Sequence, residues 1–327
     1  MTTTTPTGQD PFVHPALFYR SATEYLDALV PFITDGLAAR QPVAVAVPGP
    51  NLRLLTSALG EAAEQLYMLD MTVAGRNPGR IIPGVLRRFA DTHVDRHVRI
   101  IGEPIWPARS ATEYPACAQH EALINLAFAG RDVTIVCPYD TEGLDAEALA
   151  DARATHPLVW EADRRYASAD YAPDHVVARY NQPLNHSEGA EVHLVSTAND
   201  LSPARRRIAD HARTLGLKPD RIADLELIAT ELATNSLIHA GAPCELRIWR
   251  DNGHVICEAR NTGQLTDPLV GRRPATPHTF SGRGLLVINN LADLVRTHTS
   301  PNETTIRAYL RAERQSVEPI IPAATKH

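Results

Sequence analysis

Short segments in the C-terminal third of the chain combine residue types that handle phosphate and metal. In Arg221–Ala240 the residues Glu231, Asn235 and His239 recur at every fourth position, so on a helix they form one polar stripe. An amide oxygen is a hard ligand suited to Mg²⁺, and a carboxylate beside it can take a proton. On the same wheel Ile222, Leu225, Ala229 and Leu232 share one face, while Leu227 and Ile238 lie nearly opposite. That pattern predicts a helix buried on two sides, with the stripe between them. A buried carboxylate and amide need partners, which a bound cation and phosphate would supply; a stripe that faces water is the other reading. Asn261-Thr262-Gly263-Gln264 follows a strand-like run, where glycine permits a sharp turn and close backbone approach to a flat ring. Gly282-Arg283-Gly284-Leu285 opens a helical run, whose free amides and dipole favour an anion. Arg283 would reach a phosphate or face solvent. Thr304 enters the last strand, a place that β-propensity alone can explain.

A second set of chemistry-bearing residues lies in the first half. His14 stands near the start of this half, and Glu103, Trp106, His120, Glu121, Asn125, Cys137, Tyr139, Asp140 and His156 stand in the segments G-E-P-I-W (Gly102–Trp106), H-E-A-L-I-N (His120–Asn125), C-P-Y-D (Cys137–Asp140) and H-P (His156-Pro157). An α/β sheet would bring them to strand ends, where such sheets bind ligands. Histidine, cysteine and glutamate together invite a metal, yet the spacings fit no standard zinc pattern. A satisfied polar network and a small-molecule pocket are the other readings. The turn Pro48-Gly49-Pro50-Asn51 has no Gly-Lys-Ser/Thr, so no Walker phosphate loop and no ATP hydrolysis are expected in this half.

The elements that must position these residues can be read from periodicity. Ala22–Arg40 has helical spacing, and Val43–Val47 is a continuous apolar run suited to a buried parallel strand. Asn51–Gln65 and Glu121–Phe128 read as helices, and Gln65–Asp70, Val98–Ile101 and Val133–Cys137 as strands, which gives an α/β layer fold with a mainly parallel sheet. The polar, proline-bearing stretch 161–190 reads as a linker. Beyond it, Glu191–Ser196 is a strand, Leu201–Leu215 and Pro219–Ala240 are helices, and Asp251-Asn252-Gly253 joins Cys244–Trp249 to His254–Arg260 as a hairpin. A Pro-rich loop covers Gln264–Ser281, Leu285–Leu294 is helical, and Thr304–Leu310 closes a mixed sheet, so this half is expected to be an α+β sandwich. Expected boundaries are a flexible tail to residue 13, a first domain over 14–160, the linker, a second domain over 191–313 and a tail over 314–327.

Bulk properties narrow the function. A chain of 327 residues with net charge −6 gives no reason to expect nucleic acid as a partner. It lacks any apolar run of membrane-spanning length and any signal-peptide start. Its four cysteines form no CxxC pair and suit a reducing compartment, so a cytoplasmic location is expected.

The order of the C-terminal motifs (a helix with E-x-x-x-N, a strand then N-x-G, a loop, G-x-G at a helix start, a last strand opening on Thr) resembles the GHKL or Bergerat-type ATP-binding fold over about 115 residues from Ala198 to Glu313. E-L-A-T-N-S-L-I-H-A is its most specific part. With no long dimerisation coil carrying a phospho-acceptor histidine, the segment looks like the anti-sigma-factor serine/threonine kinases more than like histidine kinases. The resemblance implies ATP and Mg²⁺ as cofactors, Asn235 as the Mg²⁺ ligand, Glu231 as the general base for an attacking serine hydroxyl, and His239, Asn261, Gly263, Gly282, Arg283, Gly284, Leu285 and Thr304 around the nucleotide. Three departures accompany it: Asn261 stands where the family has an adenine-reading Asp, Gln264 where it has a second glycine, and Glu303 where it has a glycine. They imply a rival, a module that binds a ligand or protein without transferring phosphate; a histidine-kinase-like enzyme is a third reading. The first half resembles the MEDS (methanogen/methylotroph DcmR sensory) domain over His14–Trp160, with a fold similar to RecA-type ATPases. Together they imply a signal-responsive regulator with a protein partner (a sigma factor or an antagonist), a small-molecule signal at the first domain, and a homodimer.

Overall fold

The computed structural model describes residues 10–185, 187–275 and 282–312. Residues 1–9 of the expected N-terminal tail, 276–281 of the expected Pro-rich loop, and the expected C-terminal tail lie outside the described residues.

The first sheet has seven strands: β1 (Pro15–Tyr19), β2 (Val43–Val47), β3 (Tyr67–Asp70), β4 (Val98–Gly102), β5 (Val133–Asp140), β6 (Leu158–Glu161) and β7 (Arg164–Ala167), in the order β3-β2-β4-β5-β1-β6-β7. All pairings are parallel except β6 with β7. Between and after the strands run α1 (Ala22–Ala38), α2 (Gly49–Leu59), α3 (Met71–Ala74), α4 (Arg87–Ala90), α5 (Tyr114–Phe128), α6 (Ala146–Thr155) and α7 (Pro173–Arg179). Because strand side chains alternate, each face has its own core. Ala16, Phe18, Ile100, Ile135 and Cys137 point to the side of α5, and Leu17, Val45, Ile101 and Val136 to the side of α1. β2, read as buried, is buried at every position.

The stretch read as a linker is partly built into this unit. β7 extends the sheet, and Val176 and Tyr180, within and just after α7, pack on Ala118 and Ala122 of α5. All of β7 is exposed, so it carries no hydrophobic period to betray it. Val13, expected in the tail, bridges to Thr134.

The second sheet has five strands, β8 (Glu191–Val195), β9 (Cys244–Asp251), β10 (His254–Asn261), β11 (Leu294–Ser300) and β12 (Glu303–Arg311), in the order β11-β12-β10-β9-β8. Every pairing is antiparallel, which corrects the expected mixed sheet. Asn252 and Gly253 both take positive φ, 44° and 76°, as the predicted two-residue hairpin requires. α8 (Ala198–Thr214) begins earlier than expected, at a capping box between Thr197 and Asp200, and holds Pro203 inside it. α9 (Pro219–Asn235) has proline in its first turn and continues as a π-helical turn, Ser236–Ala240, closed by left-handed Gly241. α10 (Gly284–Leu291) is shorter than read, because Leu285–Val295 contains both a helix end and the start of β11.

Helices α8, α9 and α10 cover one face of this sheet. On the other face Trp249, Ile256, Leu294 and Tyr309 pack against Ala116 of α5, so the first unit roofs the second.

Candidate functional site

Along α9, Ile222, Leu225, Ala229 and Leu232 are buried against the second sheet, as the periodicity predicts. The expected second buried face is not there. Leu227 is 43% and Ile238 69% exposed, so one apolar face holds the helix and the opposite one meets solvent. The polar stripe lies at the margin between them, with Glu231 and Asn235 half-buried and His239 exposed. The widened turn after Asn235 carries His239 out of strict register with the other two.

The glycine turn ahead of α10 meets that stripe. A Cβ placed on Gly284 would stand 2.6 Å from Glu231 Oε2 and 3.0 Å from both polar atoms of the Asn235 amide. Gly284 is therefore glycine because the carboxylate and amide occupy the space a side chain would need. The Asn235 Nδ2 nitrogen is buried without a hydrogen-bond partner. Arg283 is at the N-cap of α10 and gives no side-chain cap, and a helix start of this kind favours an anion.

A cleft opens beside this junction, lined by Leu232, Asn235, His239, Asn261, Gly263 and Thr304, with Gly282 and Leu285 across from them. Asn261 lies opposite Thr304 in the β10–β12 register. Its Nδ2 donates to Ser236 Oγ at 2.8 Å, and its Oδ1 accepts from Gly263 N–H at 2.8 Å. One lone pair of Oδ1 remains for a ligand amino group. Gly263 is needed for close packing: a Cβ there would fall 2.5 Å from that of Ala240. Thr304 Oγ1 donates to the Gly263 carbonyl at 2.8 Å and lies 2.9 Å from Thr299 Oγ1, which accepts from Leu265 N–H at 2.9 Å. Glu303, one of the departures from the family pattern, pairs with Arg260 at the rim. Ser236 and Thr299 were missed from sequence. Ser236 directly follows Asn235 and could have been singled out by that position; Thr299 belongs to the strand hidden behind α10.

The cleft shares a wall with the first unit. Leu265, Val270 and Leu285 line it and also line a larger cleft whose far side is Gln119, Ala122, Leu123 and Leu126 of α5. Leu269, 3% exposed, is part of the first unit's apolar core. Asn181, just after α7, clasps β11 by donating to Thr299 O at 2.8 Å and accepting from Thr299 N–H at 2.9 Å. Buried Asn77 donates to Asn289 O at 2.8 Å, and Arg76 pairs with Asp293.

The ten candidate residues of the first unit do not converge on one pocket. Glu103 and Asp140 lie at the carboxyl ends of β4 and β5, the edge where ligands were expected. Glu103 accepts from Asn51 Nδ2 at 2.9 Å and from Tyr25 OH at 3.3 Å. Burial pushes its carboxyl up to about 8, against the pull of those hydrogen bonds. Asp140 holds the following turn through Glu142 and Gly143 amides. Trp106 lies under the Arg109 guanidinium, 3.8 Å from ring centre to carbon. By contrast His14 and His156 precede β1 and β6, at the opposite edge, and meet Cys137 from β5 and Glu121 from α5 in a buried group. Asn125 contacts His14, and the Tyr139 ring stands edge-on to His156. Burial takes His14 down to about 4, helped by neighbouring His156, and takes His120 down to about 3. Both ring nitrogens of His120 lack partners.

An antiparallel sheet backed by helices, with an E-x-x-x-N helix facing a glycine-led helix start, defines a module of the ATPase-domain type joined to a mostly parallel α/β unit. Comparison with known families agrees on both parts. Residues 13–157 match MEDS, the methanogen/methylotroph DcmR sensory domain, and residues 194–310 match the histidine kinase-like ATPase domain, so the chain carries the first at its N-terminus and the second at its C-terminus. Among solved structures, the RsbU and RsbW domains of Rv1364c from Mycobacterium tuberculosis are 16% identical, covering 38% of this chain and 33% of that one, with a TM-score of 0.28, too low to bear on the fold. The chain thus spans about a third of that protein's length. Among curated proteins none matches the chain. Among the described residues no helix is long and apolar enough to cross a membrane.

Proposed function

We propose that this chain is a signal-responsive regulator whose C-terminal domain binds ATP with Mg²⁺ and phosphorylates a serine or threonine of a protein antagonist, in the manner of anti-sigma-factor kinases. The observation that carries the reading is the meeting of Glu231 and Asn235 with Gly284. The residues fit the cofactor. Asn235 holds a buried, unpartnered amide nitrogen, its oxygen suits a hard cation, and the uncapped start of α10 offers amides to phosphate. Asn235 would hold Mg²⁺, the Gly282–Leu285 turn the phosphates, and Asn261 with Thr304 the base. ATP supplies the phosphoryl group. Glu231, one helical turn before Asn235, would accept the proton of a partner's hydroxyl.

Control by the first domain follows from the shared wall. Leu265, Val270 and Leu285 face the nucleotide cleft on one side and the α5 cleft on the other. Asn181 reaches the network Thr299–Thr304–Gly263 directly. A signal that shifts α5 or α7 would thereby be felt at the cleft.

The second reading, a binding module without phosphotransfer, is favoured by Asn261, an uncharged amide that shares its Oδ1 with the Gly263 N–H. Incubation with labelled ATP, Mg²⁺ and a candidate antagonist separates the two. Transfer that Glu231→Ala abolishes supports the kinase; ATP binding with no transfer to any candidate supports the module.

A further inference from the structure

We infer that His14, Glu121, Cys137 and His156 form a binding site for one divalent transition-metal ion of the zinc type. The site lies inside the first domain, away from the nucleotide cleft. All four side chains are at most 1% exposed, and one ligand atom from each lies within 4.8 Å of the others. His156 Nε2 is 3.2 Å and His14 Nε2 3.6 Å from Glu121 Oε2, and Cys137 Sγ is 3.5 Å from His14 Nε2. Metal–ligand bonds of about 2.0–2.3 Å at tetrahedral angles separate ligand atoms by roughly 3.3–3.8 Å, so the spacing needs little adjustment.

Hydrogen bonding outside the group fixes which atoms face inward. Asn125 Nδ2 donates to Ala122 O at 3.1 Å and Thr155 O at 2.8 Å, which leaves Asn125 Oδ1 as an acceptor 3.1 Å from His14 Nδ1. His156 Nδ1 lies 2.8 Å from Ala152 O, which can only accept. Each imidazole therefore carries its proton on Nδ1 and presents the Nε2 lone pair to the centre, the arrangement that second partners impose on metal-bound histidines. These lone pairs meet a carboxylate. Neither Glu121 oxygen nor His156 Nε2 has a hydrogen-bond partner. Acceptors turned on one another, sealed from water, lack a cation. A divalent ion also closes the charge: the Cys137 thiol releases its proton to solvent on binding, and thiolate plus carboxylate then balance the ion, with neutral imidazoles completing the set.

The spacing escapes the usual sequence patterns because the ligands come from the approach to β1, from α5, from β5 and from the approach to β6. The site ties α5 to the sheet, and the same helix carries Ala116 onto the Trp249–Tyr309 face of the ATPase domain.

The test uses the full chain, expressed in medium supplied with Zn²⁺ or Co²⁺, with metal counted by elemental analysis after desalting. The expected result is about one equivalent per chain and, for the cobalt form, an intense near-ultraviolet thiolate-to-metal charge-transfer band. Cys137→Ser should remove that band, Glu121→Gln should lower metal occupancy, and Cys117→Ser, which alters another buried thiol, should leave both unchanged. Wild-type protein that comes away metal-free from both media, or a cobalt spectrum that Cys137→Ser does not alter, overturns the inference even if a variant folds poorly.

Discussion

At the scale of single residues, the proposed adenine end of the cleft turns on Asn261. Its Oδ1 is shared with Gly263 N–H, and being uncharged it is a weaker acceptor than the carboxylate the family carries. Asn261→Asp keeps the Gly263 contact, lets Ser236 turn its hydroxyl from Leu232 O to the new carboxylate, and should tighten ATP binding by about 1 kcal/mol, roughly fivefold, in calorimetry. Glu103 gives a second prediction, read in stability. It faces Tyr19, Tyr25 and Asp140, and its carboxyl titrates near 8 when folded. The folded state keeps a proton there that the unfolded chain releases around pH 4.5, so the contribution to stability is full below that pH and is lost as pH rises through 8. Thermal melts of wild type should therefore fall over that window, and Glu103→Gln should flatten the fall; an unchanged slope would remove Glu103 as its source.

At the scale of elements, the proposed function depends on how α9 meets the start of α10. Gly284→Ala forces the Glu231 carboxylate aside while leaving the backbone unstrained. The fold should survive with a modest drop in melting temperature, and phosphotransfer should fall roughly ten- to a hundredfold, the usual consequence of a misplaced catalytic group. The polar stripe and the glycine turns were legible in sequence because they are local patterns: four-residue spacing on one helix, glycine before another. The fates of Leu227 and Ile238 were not legible, since a wheel shows which residues share a face and not whether anything covers it. β11 was hidden because Leu291, Ala292, Leu294 and Val295 carry apolar residues past the end of the helix, with no glycine or proline to mark the stop. β7 was hidden for the opposite reason, having no buried side to impose a period. In the first domain His14 and Glu103 were assigned to one place; which edge of a parallel sheet a residue reaches depends on whether it precedes or follows its strand, and strand β1 was not foreseen.

At the scale of the whole molecule, the sensory and ATPase-type domains are joined by more than a tether. Ala116 of α5 packs on the Trp249–Tyr309 face of the second sheet, Leu269 is buried in the first domain, and Asn181 holds β11 at Thr299. Asn181→Ala removes a clasp without touching the cleft itself, and it should weaken ATP binding by roughly fivefold, within the range of ordinary coupling energies. An unaltered dissociation constant would mean that the clasp does not pass information. All of this presumes that nucleotide occupies the space beside Glu231 and Asn235. The most direct check is a crystal of the full chain soaked with Mg²⁺ and a non-hydrolysable ATP analogue. Density for the ion at the Asn235 amide oxygen, phosphates at the start of α10 and the base between Asn261 and Thr304 is the expected result; nucleotide bound elsewhere, or none at millimolar concentration, would contradict it.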